Sequence, residues 1–202
     1  INLMNQSFSD LFILYQPKDI VSGDFYSFAQ RDEKVMIAAA DCTGHGVAGA
    51  FMSMIGIALI NQIINEKGTT EPSITHEQRN DGLITALKQR KSEMNEGMDI
   101  AFCTIDKKNG NMQFSGANRP LWLIRNKEFL SFKPTKMPIG GQQVNKSEGF
   151  LQHHINLQPG DALYLFSDGY ADQFGGEKGK KFMIKNLRET LLTINHLPMK
   201  EQ

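Results

Sequence analysis

The stretch Asp41-Cys42-Thr43-Gly44-His45-Gly46 joins a short apolar segment to the longest apolar segment of the chain. Residues 35–40 (VMIAAA) precede it and are bounded by charge, which is typical of a buried strand. Residues 47–64 follow it and are apolar almost throughout, which predicts a long helix. A carboxylate at the mouth of a strand, followed by glycines that let the backbone come close to a ligand, indicates a functional site at this junction.

The glycines of this junction also match a dinucleotide-binding pattern. Residues 44–49 (GHGVAG) fit G-x-G-x-x-G between a strand and a helix, and Glu66 follows Gly46 at about the 20-residue spacing of that fingerprint. However, a carboxylate at Asp41 would repel a pyrophosphate, so the electrostatics favour a cation there. A doubly wound sheet also needs strands that alternate with crossover helices, and the sequence shows one such crossover. We therefore consider a dinucleotide enzyme the weaker alternative.

Length and composition favour one soluble domain. The chain has 202 residues, 40% hydrophobic and 22% charged, which is enough for one sizeable core, so we expect a single domain over residues 1–202. The 22 Lys and Arg residues balance the 22 Asp and Glu residues, and a net charge of zero gives no reason to expect nucleic-acid binding.

The two cysteines, Cys42 and Cys103, are too few for a disulfide framework, and the chain starts without a signal segment, so we expect a cytoplasmic setting. A cysteine-nucleophile phosphatase would need an arginine six positions after its cysteine. Ala48 and Asn109 stand at those positions, which excludes that class.

The apolar segment 47–64 is near the lower length limit for a membrane span. Ser53, Asn61 and Gln62 interrupt it, and no basic cluster flanks it. We therefore expect a helix buried against a sheet, and no contact of this domain with a membrane.

Hairpins dominate the rest of the sequence. Residues 23–28, which are rich in aromatic side chains, and the apolar residues 35–40 flank a charged turn. Asn109-Gly110 is a strong turn signal, and Pro159-Gly160 predicts a hairpin between residues 153–157 and 162–167. The fold class predicted is α+β, with two packed antiparallel sheets flanked by helices. The predicted strands are residues 11–15, 23–28, 35–40, 99–105, 112–117, 121–125, 129–132, 153–157 and 162–167, and the predicted helices are residues 47–64, a helix that opens at Asp81 after a loop over residues 66–80, and residues 181–194.

Three aspartates share one local setting. Asp24, Asp41 and Asp168 each lie where a strand meets a glycine or a tight turn. Any one of them could cap a turn, as aspartate commonly does, but three at one sheet edge favour a bound cation. Carboxylates without a His or Cys cluster suit Mg²⁺ or Mn²⁺ rather than zinc. Two such ions, about 3.5–4 Å apart, can hold a shared hydroxide and neutralise a phosphoryl group.

Six motifs, in order, resemble the SpoIIE-type phosphatases, which belong to the metal-dependent (PPM, protein phosphatase 2C) serine/threonine class. The resemblance covers nearly the whole chain and implies an αββα sandwich with two Mn²⁺ or Mg²⁺ ions. Whether a third ion binds stays open. It implies that Asp24, Asp41 and Asp168 are metal ligands, together with the backbone carbonyl of Cys42. The motifs lie in residues 17–26, 41–46, 97–101, 115–121, 137–140 and 167–169.

The resemblance also implies a reaction. A hydroxide that bridges the metals would attack phosphoserine or phosphothreonine on a signalling phosphoprotein, such as an anti-anti-sigma-like partner. Relatives usually end in a further strand with an acidic pair, which is missing here, so we expect a domain truncated at its C-terminus. Because of that departure, a non-catalytic module that binds a phosphoprotein or a partner domain on the same fold is the alternative. Association into a homodimer stays open.

Five further residues have two interpretations each. Asp99 could face a third, looser metal or cap a turn, and His45 could protonate the departing seryl oxygen or be structural. Lys18 could bind phosphate or be a solvated surface lysine. Asn118 and Arg119 could meet the substrate or satisfy the backbone of a turn.

Overall fold

The computed structural model describes residues 2–87, 96–141, 149–176 and 179–202. Helices and strands alternate irregularly along the chain, with most strands in its middle. In chain order the elements are α1 (Asn2–Ser7), β1 (Phe25–Arg31), β2 (Lys34–Cys42), α2 (Gly46–Asn65), α3 (Pro72–Ala86), β3 (Gly97–Asp106), β4 (Asn111–Ala117), β5 (Leu121–Arg125), β6 (Glu128–Phe132), β7 (Ile139–Gly140), β8 (Gln152–Asn156), β9 (Ala162–Tyr164), β10 (Phe174–Gly175), β11 (Lys180–Lys181) and α4 (Ile184–Ile194).

The strands form two main antiparallel sheets. The large sheet has the order β1-β2-β3-β4-β8, and β7 pairs with the start of β3. The small sheet has the order β6-β5-β9, and β10 and β11 form a separate hairpin. All of these pairings are antiparallel, as the short connections in the sequence predict.

Side-chain alternation gives the large sheet two buried faces. Met36, Ala38 and Phe102 on one face pack with Ile60 of α2 and Leu83 of α3. The opposite face packs against the small sheet, through a second cluster that joins strands β3 and β4 to β5. The members of that second cluster include Ala101, Cys103, Phe114, Leu121 and Leu123.

Helix α4 lies on the outer side of the small sheet, where the guanidinium of Arg188 lies 4.3 Å from the centre of the Phe129 ring. The layers are therefore helix, sheet, sheet, helix, and the predicted α+β sandwich is confirmed.

Helix α2 is long and apolar enough to cross a bilayer by length and composition. In this fold it packs on the large sheet through Met52, Gly56 and Ile60. Its other face exposes an apolar stripe whose most exposed large members are Val47, Phe51 and Met54. The expected packing of this helix against a sheet is therefore present, although one of its faces is open.

Two element predictions are wrong. Residues 11–15 form no strand: Phe12 and Leu14 are exposed, and the Tyr15 side chain instead packs edge-on against Tyr26. The predicted loop over residues 66–80 contains most of α3, which begins at Pro72. The buried face of α3 carries polar side chains, so the sequence of α3 lacks the apolar period by which a packed helix is recognised. The buried polar residues of α3 are Thr75, His76 and Arg79.

The predicted pairing of residues 153–157 with residues 162–167 is also wrong. Strand β8 pairs with β4 in the large sheet, whereas β9 pairs with β5 in the small sheet. The Pro159-Gly160 turn therefore carries the chain from one sheet to the other. A turn signal predicts that the chain reverses, but it does not determine which strands pair.

Candidate functional site

Strand register places three carboxylates side by side at one end of the large sheet. Asp41 on β2 is the direct partner of Asp99 on β3. Phe25 of β1 pairs with Ala40 of β2, and so Asp24, one residue earlier, lies at the same end of the next strand. Directly opposite residues of an antiparallel pair have Cα atoms about 4.5–5.5 Å apart. The edge formed by β1, β2 and β3 is therefore strongly acidic.

The small sheet contributes a fourth carboxylate. The chain leaves β9 through Ser167 and Asp168, and the Ser167 hydroxyl donates a hydrogen bond of 2.6 Å to Oδ2 of Asp24. This bond ties the segment after β9 to the first strand of the large sheet. Asp168 itself is more than half exposed. The site therefore lies at one rim of the sandwich, between the two sheets.

Arg119 connects the carboxylates of both sheets. Its Nη2 atom contacts Asp41 and donates a hydrogen bond of 2.9 Å to Oδ2 of Asp168. Oδ2 of Asp99 lies 3.7 Å from the same nitrogen. A charge-assisted contact of this kind offsets part of the repulsion among neighbouring carboxylates.

Asn118 forms the bend that places Arg119. Its φ of 57° lies in the left-handed region, which asparagine tolerates better than most residues. The Asn118 side-chain amide donates a hydrogen bond of 2.8 Å to Oδ1 of Asp99. Asn118 and Arg119, interpreted from sequence as substrate contacts or turn residues, thus both contact the acidic cluster directly.

Close backbone packing fixes the loop that follows Asp41. A Cβ atom added to Gly49 of α2 would lie 2.6 Å from the carbonyl oxygen of Gly44, and one added to Gly23 would lie 3.2 Å from the carbonyl oxygen of Cys42. Glycine at both positions lets these segments touch. The Cys42 thiol is buried in the core, and burial raises its pKa to about 12. Its side chain is therefore a neutral apolar group, as predicted, and its carbonyl oxygen faces the backbone of Gly23.

Burial controls the charge of Asp41. The pKa of this carboxyl is raised to about 7, chiefly because burial desolvates it; Arg119 opposes the rise, and the neighbouring carboxylates Asp24, Asp168 and Asp99 add to it. A group in this state binds either a proton or a cation near neutral pH.

The structure does not bring two of the predicted residues into contact with the cluster. Lys18 is exposed, as its surface interpretation expects, and His45 is exposed at the N-cap of α2 without a side-chain capping bond. The role of His45 as a general acid stays a prediction. Conversely, sequence reasoning missed Ser167, although its place next to Asp168 at a strand end was a usable signal.

The residues at this rim fit a hard divalent cation. They offer carboxylate oxygens and a backbone carbonyl, the donors that Mg²⁺ and Mn²⁺ prefer, and a guanidinium already stands among them as a positive charge. Among the described residues, no three acidic, His or Cys side chains are already arranged around a single point. Asp41 and Asp168 instead both contact Arg119.

Comparison with known proteins agrees with this geometry. A family model described as Stage II sporulation protein E (SpoIIE) matches residues 31–202. The chain belongs to the SpoIIE family. The phosphoserine phosphatase RsbU of Bacillus subtilis (strain 168) is 28% identical over 173 residues, which are 81% of this chain and 47% of that protein. The chain thus spans about half the length of this curated relative.

Solved structures support the same assignment. The SiaA-PP2C domain of Pseudomonas aeruginosa superposes with a TM-score of 0.83 at 29% identity, over 94% of this chain and 73% of that one. The PP2C phosphatase domain of SpoIIE from Bacillus subtilis shares the fold, with a TM-score of 0.62 at 23% identity over 77% of this chain and 44% of that one. This SpoIIE-family chain is therefore a phosphatase-type domain of the protein phosphatase 2C class, as its motifs predict.

Proposed function

We propose that this domain is a metal-dependent serine/threonine phosphatase that hydrolyses phosphoserine or phosphothreonine in a signalling phosphoprotein. One observation carries the proposal: Asp24, Asp41 and Asp99 lie side by side at one end of β1, β2 and β3, and Asp168 of the second sheet shares the Arg119 guanidinium with Asp41 and Asp99. Family membership and the 28% identity to a phosphoserine phosphatase support the reaction type.

Mn²⁺ or Mg²⁺ is the cofactor that we propose, held by Asp24, Asp41, Asp168 and the carbonyl oxygen of Cys42. Asp99 would serve a third, looser ion. When bound, the ions would supply Lewis-acid polarisation of the phosphoryl group and activation of a water molecule as the nucleophile. The protein's own contribution is to hold several carboxylates of two sheets at one rim, with Ser167 fixing the orientation of Asp24.

Substrate binding is the role that we propose for the bend at Asn118 and Arg119. A guanidinium recognises the oxygens of a phosphoryl group through paired N–H donors, so Arg119 is the residue best suited to that contact. Asp168 is more than half exposed, and the site is therefore accessible to a phosphorylated segment of another protein. His45 would protonate the departing seryl oxygen.

An anti-anti-sigma-like domain is the phosphoprotein partner that we propose, in a cytoplasmic setting. This choice rests on the family to which the chain belongs. The alternative, a module that binds a phosphoprotein without turnover, differs in one respect that can be measured: it would bind phosphopeptides but release no phosphate.

Phosphate release from a phosphoserine peptide and from p-nitrophenyl phosphate tests the proposal, with Mn²⁺ added and with chelator. Asp168→Asn and Asp41→Asn should lose Mn²⁺-dependent turnover and also the rise in melting temperature that a ligand of the folded state produces. Asp32→Asn is the matched control, because Asp32 lies in the turn at the far end of the β1–β2 hairpin. Turnover by Asp168→Asn at the wild-type rate would refute the assignment. Phosphopeptide binding without turnover by the wild type would favour the binding module.

A further inference from the structure

The guanidinium of Arg119 lies at the centre of the acidic site. One of its nitrogen atoms, Nη2, contacts Asp41 and Asp168, which come from different sheets, and lies 3.7 Å from Asp99. The side chain is largely buried, with 15% of its surface exposed. The guanidinium therefore supplies positive charge to carboxylates of both sheets.

Backbone hydrogen bonds hold the bend at Arg119, so the fold sets the position of its Cα atom. The Asn118 N–H donates to the Thr135 carbonyl at 2.8 Å, and the Thr135 N–H donates to the Gly116 carbonyl at 2.8 Å. The Arg119 N–H donates to the Ala117 carbonyl at 2.7 Å. A displacement of Arg119 would therefore involve its long side chain and not its backbone.

A divalent ion and this guanidinium compete for the same oxygen atoms. An ion between Asp41 and Asp168 would take their carboxylate oxygens at about 2.0–2.1 Å if it were Mg²⁺. Those are the atoms to which Nη2 is bound. Two cations on one pair of oxygens repel each other strongly at such short range. The two arrangements therefore exclude each other.

We propose that Arg119 is the internal counter-ion of the metal-free site, and that a divalent ion must displace it in order to bind. Arg119 thereby sets the affinity of the site for metal. It holds the acidic rim together before the ion arrives, and its release frees the guanidinium for the phosphoryl group. This inference rests on the proposed metal-dependent function.

Other roles for Arg119 make different predictions about metal affinity. If the guanidinium served the phosphoryl group alone, its removal would lower turnover and leave metal affinity unchanged. If it also helped to assemble the ligands for the ion, its removal would weaken metal binding. Only displacement predicts tighter binding of metal when the arginine is removed.

Binding of Mn²⁺, followed from the free-ion signal in electron paramagnetic resonance, separates these roles without any assay of activity. Arg119→Gln should bind Mn²⁺ about tenfold more tightly than the wild type, which corresponds to about 1.4 kcal/mol. Arg125→Gln is the matched control, because Arg125 forms a two-bond pair of 2.8 and 2.6 Å with Asp161 in another part of the fold. Unchanged or weaker binding in Arg119→Gln would overturn the displacement.

Nuclear magnetic resonance of arginine side chains in the wild type gives a second measurement that does not depend on how a variant folds. The side-chain signal of Arg119, assigned by its loss in Arg119→Gln, should shift when Mg²⁺ saturates the protein, while that of Arg125 should not. A stationary Arg119 signal at saturation would overturn the proposal and leave the metal-dependent function standing. If neither Mg²⁺ nor Mn²⁺ binds the wild type, both proposals fall.

Discussion

Asp41 and Asp99 are direct cross-strand partners on β2 and β3. Like charges directly opposite each other on an antiparallel pair are destabilising, and here the strand register prevents the two carboxylates from separating. The arrangement is stable only if a proton, a guanidinium or a metal ion compensates the charge. The fold therefore concentrates negative charge at the rim where we propose that a metal ion binds.

The first prediction concerns pH. The pKa of Asp41 rises from 3.8 to about 7 on folding, chiefly through burial. Because the folded state binds this proton more tightly, the stability that Asp41 contributes is fully present below about pH 4 and is lost as the pH rises through about 7. In the presence of a chelator, the free energy of unfolding of Asp41→Asn should therefore increase relative to that of the wild type as the pH increases.

Denaturant titrations at several pH values from about 4 to about 8 measure that difference. Asp32→Asn, a matched change in the exposed hairpin turn, should follow the wild type at every pH. A constant difference between Asp41→Asn and the wild type over this range would contradict the prediction.

The second prediction concerns Ser167. Its hydroxyl donates the 2.6 Å hydrogen bond that orients Asp24. Groups that orient a metal ligand typically change metal affinity by about 10–100-fold when they are removed. Ser167→Ala should therefore weaken Mn²⁺ binding by about tenfold while the protein stays folded, and Ser131→Ala, a matched change at an exposed position of β6, should leave it unaltered. Calorimetric titration with Mn²⁺ would measure this, and equal affinities in the two variants would refute it.

Much of the fold was predictable because strand alternation and turn residues are local signals. The hairpin at Asn109-Gly110 follows from its turn type, and the choice of Asp24, Asp41 and Asp168 as site candidates follows from their place at strand ends, beside a glycine or a tight turn. These features depend on a few neighbouring residues. They can therefore be recognised without knowledge of the tertiary structure.

The remainder depends on contacts between distant segments. The buried polar face of α3 has no apolar period, since His76 and Arg79 are polar residues in the core. The contact of Arg119 with Asp168 joins residues 49 positions apart in the chain, and no local pattern indicates it. Likewise, nothing around Pro159-Gly160 determines that β8 and β9 belong to different sheets.

The third prediction concerns Gly49, in the first turns of α2. Glycine to alanine inside a helix usually stabilises a protein by about 1 kcal/mol. Here the new methyl group would lie 2.6 Å from the Gly44 carbonyl oxygen and 3.1 Å from the Cα atom of Gly23. Both are backbone atoms, which cannot move aside as the end of a flexible side chain can. Gly49→Ala should therefore reduce the free energy of unfolding by about 1–3 kcal/mol.

Gly82→Ala is the matched helical control. Its methyl group would meet the end of the flexible Leu59 side chain, which can rotate away, so this variant should be neutral or more stable. Urea unfolding of both variants provides the comparison. A stabilised Gly49→Ala would mean that the loop after Asp41 is not held by the close approach of these backbones.

The last prediction concerns Arg79, which is fully buried on α3 beneath the large sheet. Its Nε atom donates to the Thr75 carbonyl at 3.2 Å, and its guanidinium lies 4.5 Å from the centre of the Phe102 ring. Within the part of the chain that the structure describes, neither Nη atom has a hydrogen-bond partner. Burial lowers the pKa of this group to about 9, which reflects the free energy needed to keep it charged in the core.

An apolar side chain of similar length removes that unfavourable term. Arg79→Met should therefore raise the melting temperature by about 2–4 °C, because replacing a poorly compensated buried charge by a hydrophobic group is commonly stabilising. Arg31→Met is the matched control: its Nη1 atom donates to the Ile64 carbonyl at 2.8 Å, and loss of that bond should lower the melting temperature. Differential scanning calorimetry of both variants would measure the changes. A fall in Arg79→Met as large as that in Arg31→Met would show that the buried guanidinium stabilises the fold.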